Sequence, residues 1–192
     1  MNLLFIDNFD SFSFNIVHAL QATGSAVEVK THLELNEVHL DDYDALVIGP
    51  GPGTPSSSGE LLAFMERALQ RKPLLGICLG MQAMGELAGA ELVHAQVPMH
   101  GKPSLINHTG GPLFAAIPVP MQVGRYHSLV LQSLSGTQAK ILAETADGEC
   151  MAIEWQVGPL VHYGVQFHPE SILTPEGQAL IQNWVNAIGK DA

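Results

Sequence analysis

The sequence predicts a single α/β domain over residues 1–192, with a largely parallel central sheet, helices on both faces, an antiparallel portion, and a cysteine on a strand-elbow-helix turn. Three observations lead there. Apolar runs alternate with amphipathic stretches from the first residues to about Ala90. Those runs are apolar throughout, as in strands covered on both faces. From about Val93 the texture shifts to short segments rich in Pro, Gly and His, which suits a mixed sheet, and no linker divides the chain.

Taken in order, "NLLFID" (Asn2 to Asp7) is a short apolar run of strand length. "DSFSFNIVHALQATG" follows with cap-type Asp10 and Ser11, apolar residues at helical spacing (Phe12, Ile16, Ala19, Leu20) and a stop at Gly24. "AVEVK" and "ALVIG" (Ala45 to Gly49) are the next strands. After a Pro/Gly/Ser loop, "GELLAFMERALQR" is an amphipathic helix and "PLLGI" a buried strand. Further on, "MAIEW" and "LVHYGVQF" read as strands, and a last helix covers Pro175 to Ile188. There are no internal repeats.

A chain of 192 residues with 46% hydrophobic and 14% charged residues buries a core without staples. No apolar run approaches the length of a membrane span, and the first residues carry acids rather than a basic leader, so a cytoplasmic protein is expected. The net charge of −11, with eight Lys and Arg, is unsuited to nucleic acid or an anionic membrane. Small molecules and protein partners remain. Cys78 and Cys150 make neither a disulfide framework nor a metal ligand set, and no metal is expected.

In "PLLGICLGMQAMGEL", Gly76 and Gly80 flank Cys78 between a strand and a helix. A nucleophile elbow has that pattern: a tight turn lifts one side chain clear of the sheet, and small neighbours relieve the crowding. The helix start would favour a thiolate and offer N–H groups to a developing oxyanion. A structural cysteine beside packing glycines has the same spelling. Of the nine histidines, His18 falls in a helix, His32 and His39 in a polar stretch, and His162 on a strand. His168 ends the strand of "YGVQFHPES", Pro169 stops the ladder, and Glu170 follows at a distance suited to orienting an imidazole. A strand-ending turn with a solvated acid also fits. Cys150, in "ECMAIEW", reads as packing.

"GICLGMQ", "GVQFHPES" and "VIGPGPGTP" together resemble the class I (triad) glutamine amidotransferases along the whole chain. Within that class, "LLFIDNFDSFSFN", "MHGKPSLINHTGGPLF" and "RYHSLV" resemble the glutaminase subunits of anthranilate synthase and aminodeoxychorismate synthase. The resemblance implies a catalytic triad of Cys78, His168 and Glu170. It implies an oxyanion hole from the backbone of Leu79 and Gly51, and glutamine binding by Gly51, Pro52, Gly53, Gln82, Ser128 and Leu129. Gln82 also reads as an ordinary exposed helix residue, and "GPGPGTP" as a surface turn.

The activity implied is hydrolysis of L-glutamine through a glutamyl thioester. Its ammonia would pass to a chorismate-binding synthase subunit, component I, making anthranilate or 4-amino-4-deoxychorismate, so the tryptophan and folate pathways are both open. No cofactor is implied for this chain; magnesium belongs with the synthase partner. The segments "MHGK" and "YHSL" are expected near the partner, although His100, Lys102 and His127 also read as satisfied loop polar groups. The chain departs from the pattern at Met81, where these subunits usually carry histidine. The alternatives are the glutaminase subunit of another amidotransferase, a partner-independent elbow hydrolase, and a catalytically idle subunit.

Overall fold

The computed structural model describes residues 1–189, and in it "NLLFID" forms strand β1 (Asn2–Asp7). Helix α1 (Ser13–Gln21), strand β2 (Ala26–Thr31), strand β3 (Ala45–Ile48), helix α2 (Leu61–Leu69), strand β4 (Leu74–Ile77) and helix α3 (Leu79–Leu87) follow. The second half contributes β5 (Glu91–His94), β6 (Lys102–His108), β7 (Met121–Arg125), β8 (Leu129–Gln132), β9 (Ala139–Thr145), β10 (Cys150–Val157), β11 (Leu160–Val165) and α4 (Gly177–Ile188).

Nine strands form one sheet in the order β2-β1-β3-β4-β11-β10-β9-β6-β7, and β5 pairs with β8 in a separate ribbon. From β2 to β11 the neighbours run parallel; from β11 to β7 they run antiparallel. The expected mixed sheet is therefore present, with β11 as its junction.

Alternation along β1 shows how the core divides. Leu3 and Phe5 pack with Ile16 and Leu20 of α1 and Leu180, Ile181 and Trp184 of α4. Leu4 and Ile6 face the other way, with Phe64 and Met65 of α2 and Met81 and Met84 of α3. Each side chain takes the opposite face from its neighbour, so a run apolar at every position serves two cores at once. The C-terminal ends of β1, β3, β4 and β11 share one edge of the sheet, where ligands of open α/β sheets bind.

The start of α1 differs from expectation. The helix begins at Ser13, its cap position is Phe12, and no side chain caps it. Asp10 instead accepts the Phe12 N–H at 2.8 Å in a local turn. Phe12 is thereby released from the helix face, and its ring stands 5.7 Å from that of His168.

Candidate active site

Cys78 lies between β4 and α3 with φ 52° and ψ −102°, a left-handed backbone that costs a non-glycine residue energy unless its surroundings impose it. Here they do. Its N–H donates to the Val165 carbonyl of β11 at 2.8 Å, and its carbonyl accepts the N–H of Gln82 at 3.0 Å. The flanking glycines leave no alternative packing: a Cβ on Gly80 would stand 2.3 Å from the Ile48 carbonyl oxygen, and one on Gly76 would stand 2.5 Å from the backbone of Gly80. The helix sits directly on β3 and β4 because neither glycine has a side chain.

His168 follows β11 at the same edge. Its N–H donates to Gly124 O at 3.0 Å, and its carbonyl accepts the Thr174 hydroxyl at 2.7 Å. Thr174 in turn accepts the Gly124 N–H at 2.9 Å. The far strand β7 thus curls over to hold the histidine backbone on both sides. The His168 ring places Nδ1 2.6 Å from Glu170 Oε1, leaving Nε2 for the Cys78 side. Burial opposes charge on this ring, but hydrogen bonds to Cys78 and Glu170, with their charges, prevail and push it up to about 10.

The loop after β3 completes the edge. The space of a Cβ on Gly51 is taken by Asn8 and by the Leu79 side chain, which puts the Gly51 segment against the first residue of α3. Pro52 and Gly53 are exposed beside it. Gln82 is 3% exposed, so it is not a surface residue of the helix. Its Nε2 donates to the Leu129 carbonyl and to Gln166 Oε1, each at 3.2 Å. Ser128 is exposed at the head of β8, and its carbonyl accepts the Ala95 N–H at 2.8 Å. The structure therefore brings Cys78, His168, Glu170, Leu79, Gly51 and Gln82 to one edge, with Leu129 joined to them through Gln82.

Three features escape sequence reasoning. Gln166 donates from Nε2 to Cys78 Sγ at 3.6 Å; its only signal is a polar residue inside the apolar run "VQF". Arg125 is 2% exposed and forms an ion pair with Glu149 from the β9–β10 turn. Arg125 Nε–H also donates to His127 Nε2 at 3.1 Å, which leaves Nδ1–H to donate to Leu129 O at 3.1 Å. His127, in the loop between β7 and β8, is thus a buried, satisfied polar group, as one of its two sequence readings expected, and it braces Leu129 from behind. Met81, the departure from the histidine pattern, is fully buried beneath β11 and packs on Gly164, so position 81 faces the core. A cleft of about 790 Å³ lies among Met1, Arg71, Pro159 and Asn183, and neither histidine nor cysteine lines it.

Burial pushes both His127 and His162 down to about 4, helped at His127 by the Arg125 charge and resisted at His162 by the Leu69 carbonyl. A histidine kept neutral in the fold protects stability above its unfolded value near 6.5, and that protection is lost as pH falls toward 4. Each ring costs about 2 kcal/mol between pH 7 and pH 5. His168 has the opposite sign: its contribution is full below about 6.5 and lost as pH rises through about 10, so it offsets a minor part in acid. Urea titrations are expected to show about 3 kcal/mol less stability at pH 5 than at pH 7. His162→Leu should remove roughly two thirds of that dependence.

With this geometry in view, the chain matches the glutamine amidotransferase class-I family over residues 4–188, and it belongs to that family as a glutamine amidotransferase enzyme. It is 39% identical to aminodeoxychorismate synthase component 2 of Serratia marcescens, covering 96% of this chain and 99% of that one. It is 42% identical to anthranilate synthase component 2 of Haemophilus influenzae, covering 94% of each. The bifunctional protein TrpGD of Thermotoga maritima is 36% identical over 96% of this chain, which spans 32% of that longer protein. In fold, a putative GMP synthase protein of Thermoplasma acidophilum superposes with a TM-score of 0.86 at 22% identity, covering 100% of this chain and 95% of that one. No described helix is long and apolar enough to cross a membrane.

Proposed function

We propose that this chain is a glutaminase subunit that hydrolyses L-glutamine through Cys78, His168 and Glu170 and delivers ammonia to a chorismate-using synthase subunit. The observation that carries the reading is the strained elbow thiol facing a buried His168 whose other nitrogen is held 2.6 Å from Glu170.

The imidazole beside the sulfur takes the thiol proton as the attack begins. Cys78 Sγ adds to the side-chain amide carbon, and the carbonyl electrons move to oxygen. The N–H groups of Leu79 and Gly51 are suited to receive that oxyanion, one at the start of α3 and the other packed against it. Collapse breaks the C–N bond, with His168 giving its proton to departing ammonia. Water then attacks the thioester, His168 takes a proton from it, the carbon–sulfur bond breaks with its electron pair returning to Cys78 Sγ, which regains the proton from His168, and glutamate leaves. Gly51, Pro52, Gly53, Gln82, Ser128 and Leu129 are assigned to holding the glutamine. The chain's own steps need no metal.

Ammonia released into water at neutral pH becomes ammonium and loses its lone pair, so a sheltered transfer to a docked partner gives the activity its purpose. The site's rim suits docking: Phe9, Phe14 and Ile172, which is 95% exposed, sit on segments at the active edge. Large apolar side chains around a reactive centre are groups that a partner would cover. A cytoplasmic location alongside such a synthase fits this reading.

The test is glutamate release by the chain alone, then with chorismate and each of the two candidate component I subunits, with the aminated product identified. Release that rises with one partner, and amination by glutamine in that mixture, is the expected result. Equal release with neither partner having effect would instead assign a stand-alone hydrolase.

A further inference from the structure

The geometry points to Gln166 as a further residue of the reaction: its buried side-chain amide is a fixed hydrogen-bond donor to the Cys78 sulfur, set in place by Gln82. The inference rests on the reading of Cys78 as nucleophile, and it adds a second partner for the thiol besides His168.

The orientation of an amide is decided by its neighbours. Gln166 is fully buried, with Oε1 accepting from Gln82 Nε2 at 3.2 Å and Nε2 donating to Cys78 Sγ at 3.6 Å. Turning the amide over would set its N–H₂ against the N–H₂ of Gln82 and its oxygen against the sulfur. Gln82 cannot yield, because its other N–H is engaged by the Leu129 carbonyl at 3.2 Å. Leu129 is held in turn by the His127 Nδ1–H at 3.1 Å, and His127 by Arg125 Nε at 3.1 Å. The donor is thus aimed by a chain of hydrogen bonds that ends in a buried ion pair.

A donor of this kind has two consequences for the chemistry. Its hydrogen bond strengthens as the sulfur gains negative charge, so it favours thiolate over thiol and the departing thiolate over the thioester. It cannot lose its proton at working pH, so the assistance persists when His168 is neutral. The other titratable groups facing the thiol are His168 and, behind it, Glu170, with neutral His127 beyond them. The first turn of α3, Leu79 to Gln82, brings no charge.

Alkylation of Cys78 by iodoacetamide isolates this effect, since the sulfur–carbon bond forms as iodide leaves and no glutamine is required. Cys150 does not compete below about pH 9, because burial pushes its thiol up to about 12. Gln166→Met has similar volume and no donor. At about pH 6 its Cys78 alkylation is expected to run about tenfold slower than in the parent, converging with the parent in alkali, while the melting temperature falls because a Gln82 N–H is left unpaired. A parent-like pH–rate profile in a folded Gln166→Met would overturn the inference. Should that variant not fold, the parent labelled with ¹⁵N in its glutamine side chains decides the matter. The Gln166 amide resonances should move on alkylation of Cys78, and unmoved resonances would equally overturn it. Failure of the parent to hydrolyse glutamine with any partner is a separate outcome: it removes the glutaminase reading while leaving the alkylation comparison to judge Gln166.

Discussion

Cys78→Ala is expected to lower glutamine-dependent amination by at least about a thousandfold while leaving synthesis from added ammonium salts intact in the complex with its synthase. The reasoning is one of division. In the proposed mechanism the only bond that needs the sulfur is the thioester, and ammonium supplied from solution enters the reaction after that bond has been broken. Alanine occupies the same left-handed backbone position and leaves the clamp from Cys78 N to Val165 O in place, so the docking face keeps its shape. Product formation measured with glutamine and with ammonium, on the same preparation, checks both halves. Loss of both activities would mean that Cys78 serves the interface or the fold rather than glutamine cleavage.

Arg125→Met is expected to cost about 3 kcal/mol of stability, at the low end of what is seen when one member of a buried ion pair is removed. The low end applies because Glu149 keeps 17% of its side chain exposed and recovers some hydration once alone. Three links fail together: the ion pair, the donor to His127 Nε2 and the weaker bond from Nη1 to Ser104 Oγ at 3.4 Å. A urea midpoint that falls with an unchanged slope is the readout. Replacing both Arg125 and Glu149 by apolar residues should recover part of the loss, because no uncompensated charge then stays behind. A single variant as stable as the parent would show that Glu149 is already solvated.

The contrast between Cys78 and Arg125 marks how far the sequence can be read. Cys78 is legible because the elbow is local: strand, glycine, cysteine, glycine and helix follow one another within a few residues, and steric necessity writes both glycines into the spelling. His168, Pro169 and Glu170 are likewise contiguous. Strands β1, β3 and β4 are legible because burial on both faces requires an unbroken apolar run. Arg125, Glu149 and Gln166 find their meaning only across strands far apart in the chain, and a lone arginine at a strand end is indistinguishable from a surface charge until its partner is known. Gln82 illustrates the middle case: its register with the elbow is visible in the sequence, but its burial against Leu129 and Gln166 is not. The cap of α1 departs from the expected Asp10 and Ser11 because Asp10 has two ways to satisfy a backbone N–H, and the turn at Phe12 wins.

The position of β11 between β4 and β10 has a consequence for the birth of the enzyme. On the ribosome, Cys78 and its helix emerge early, yet the carbonyl that holds the elbow belongs to Val165 and the imidazole follows at position 168. Neither contact can be made until β11 has slid into the gap beside β4, a pairing between distant parts of the chain that carries a loop-closure penalty and comes late. A nascent chain that stops short of this strand carries a cysteine with nothing to strain it and no imidazole beside it. The arrangement of cysteine, histidine and carboxylate is therefore completed at one moment, when the last strand is inserted.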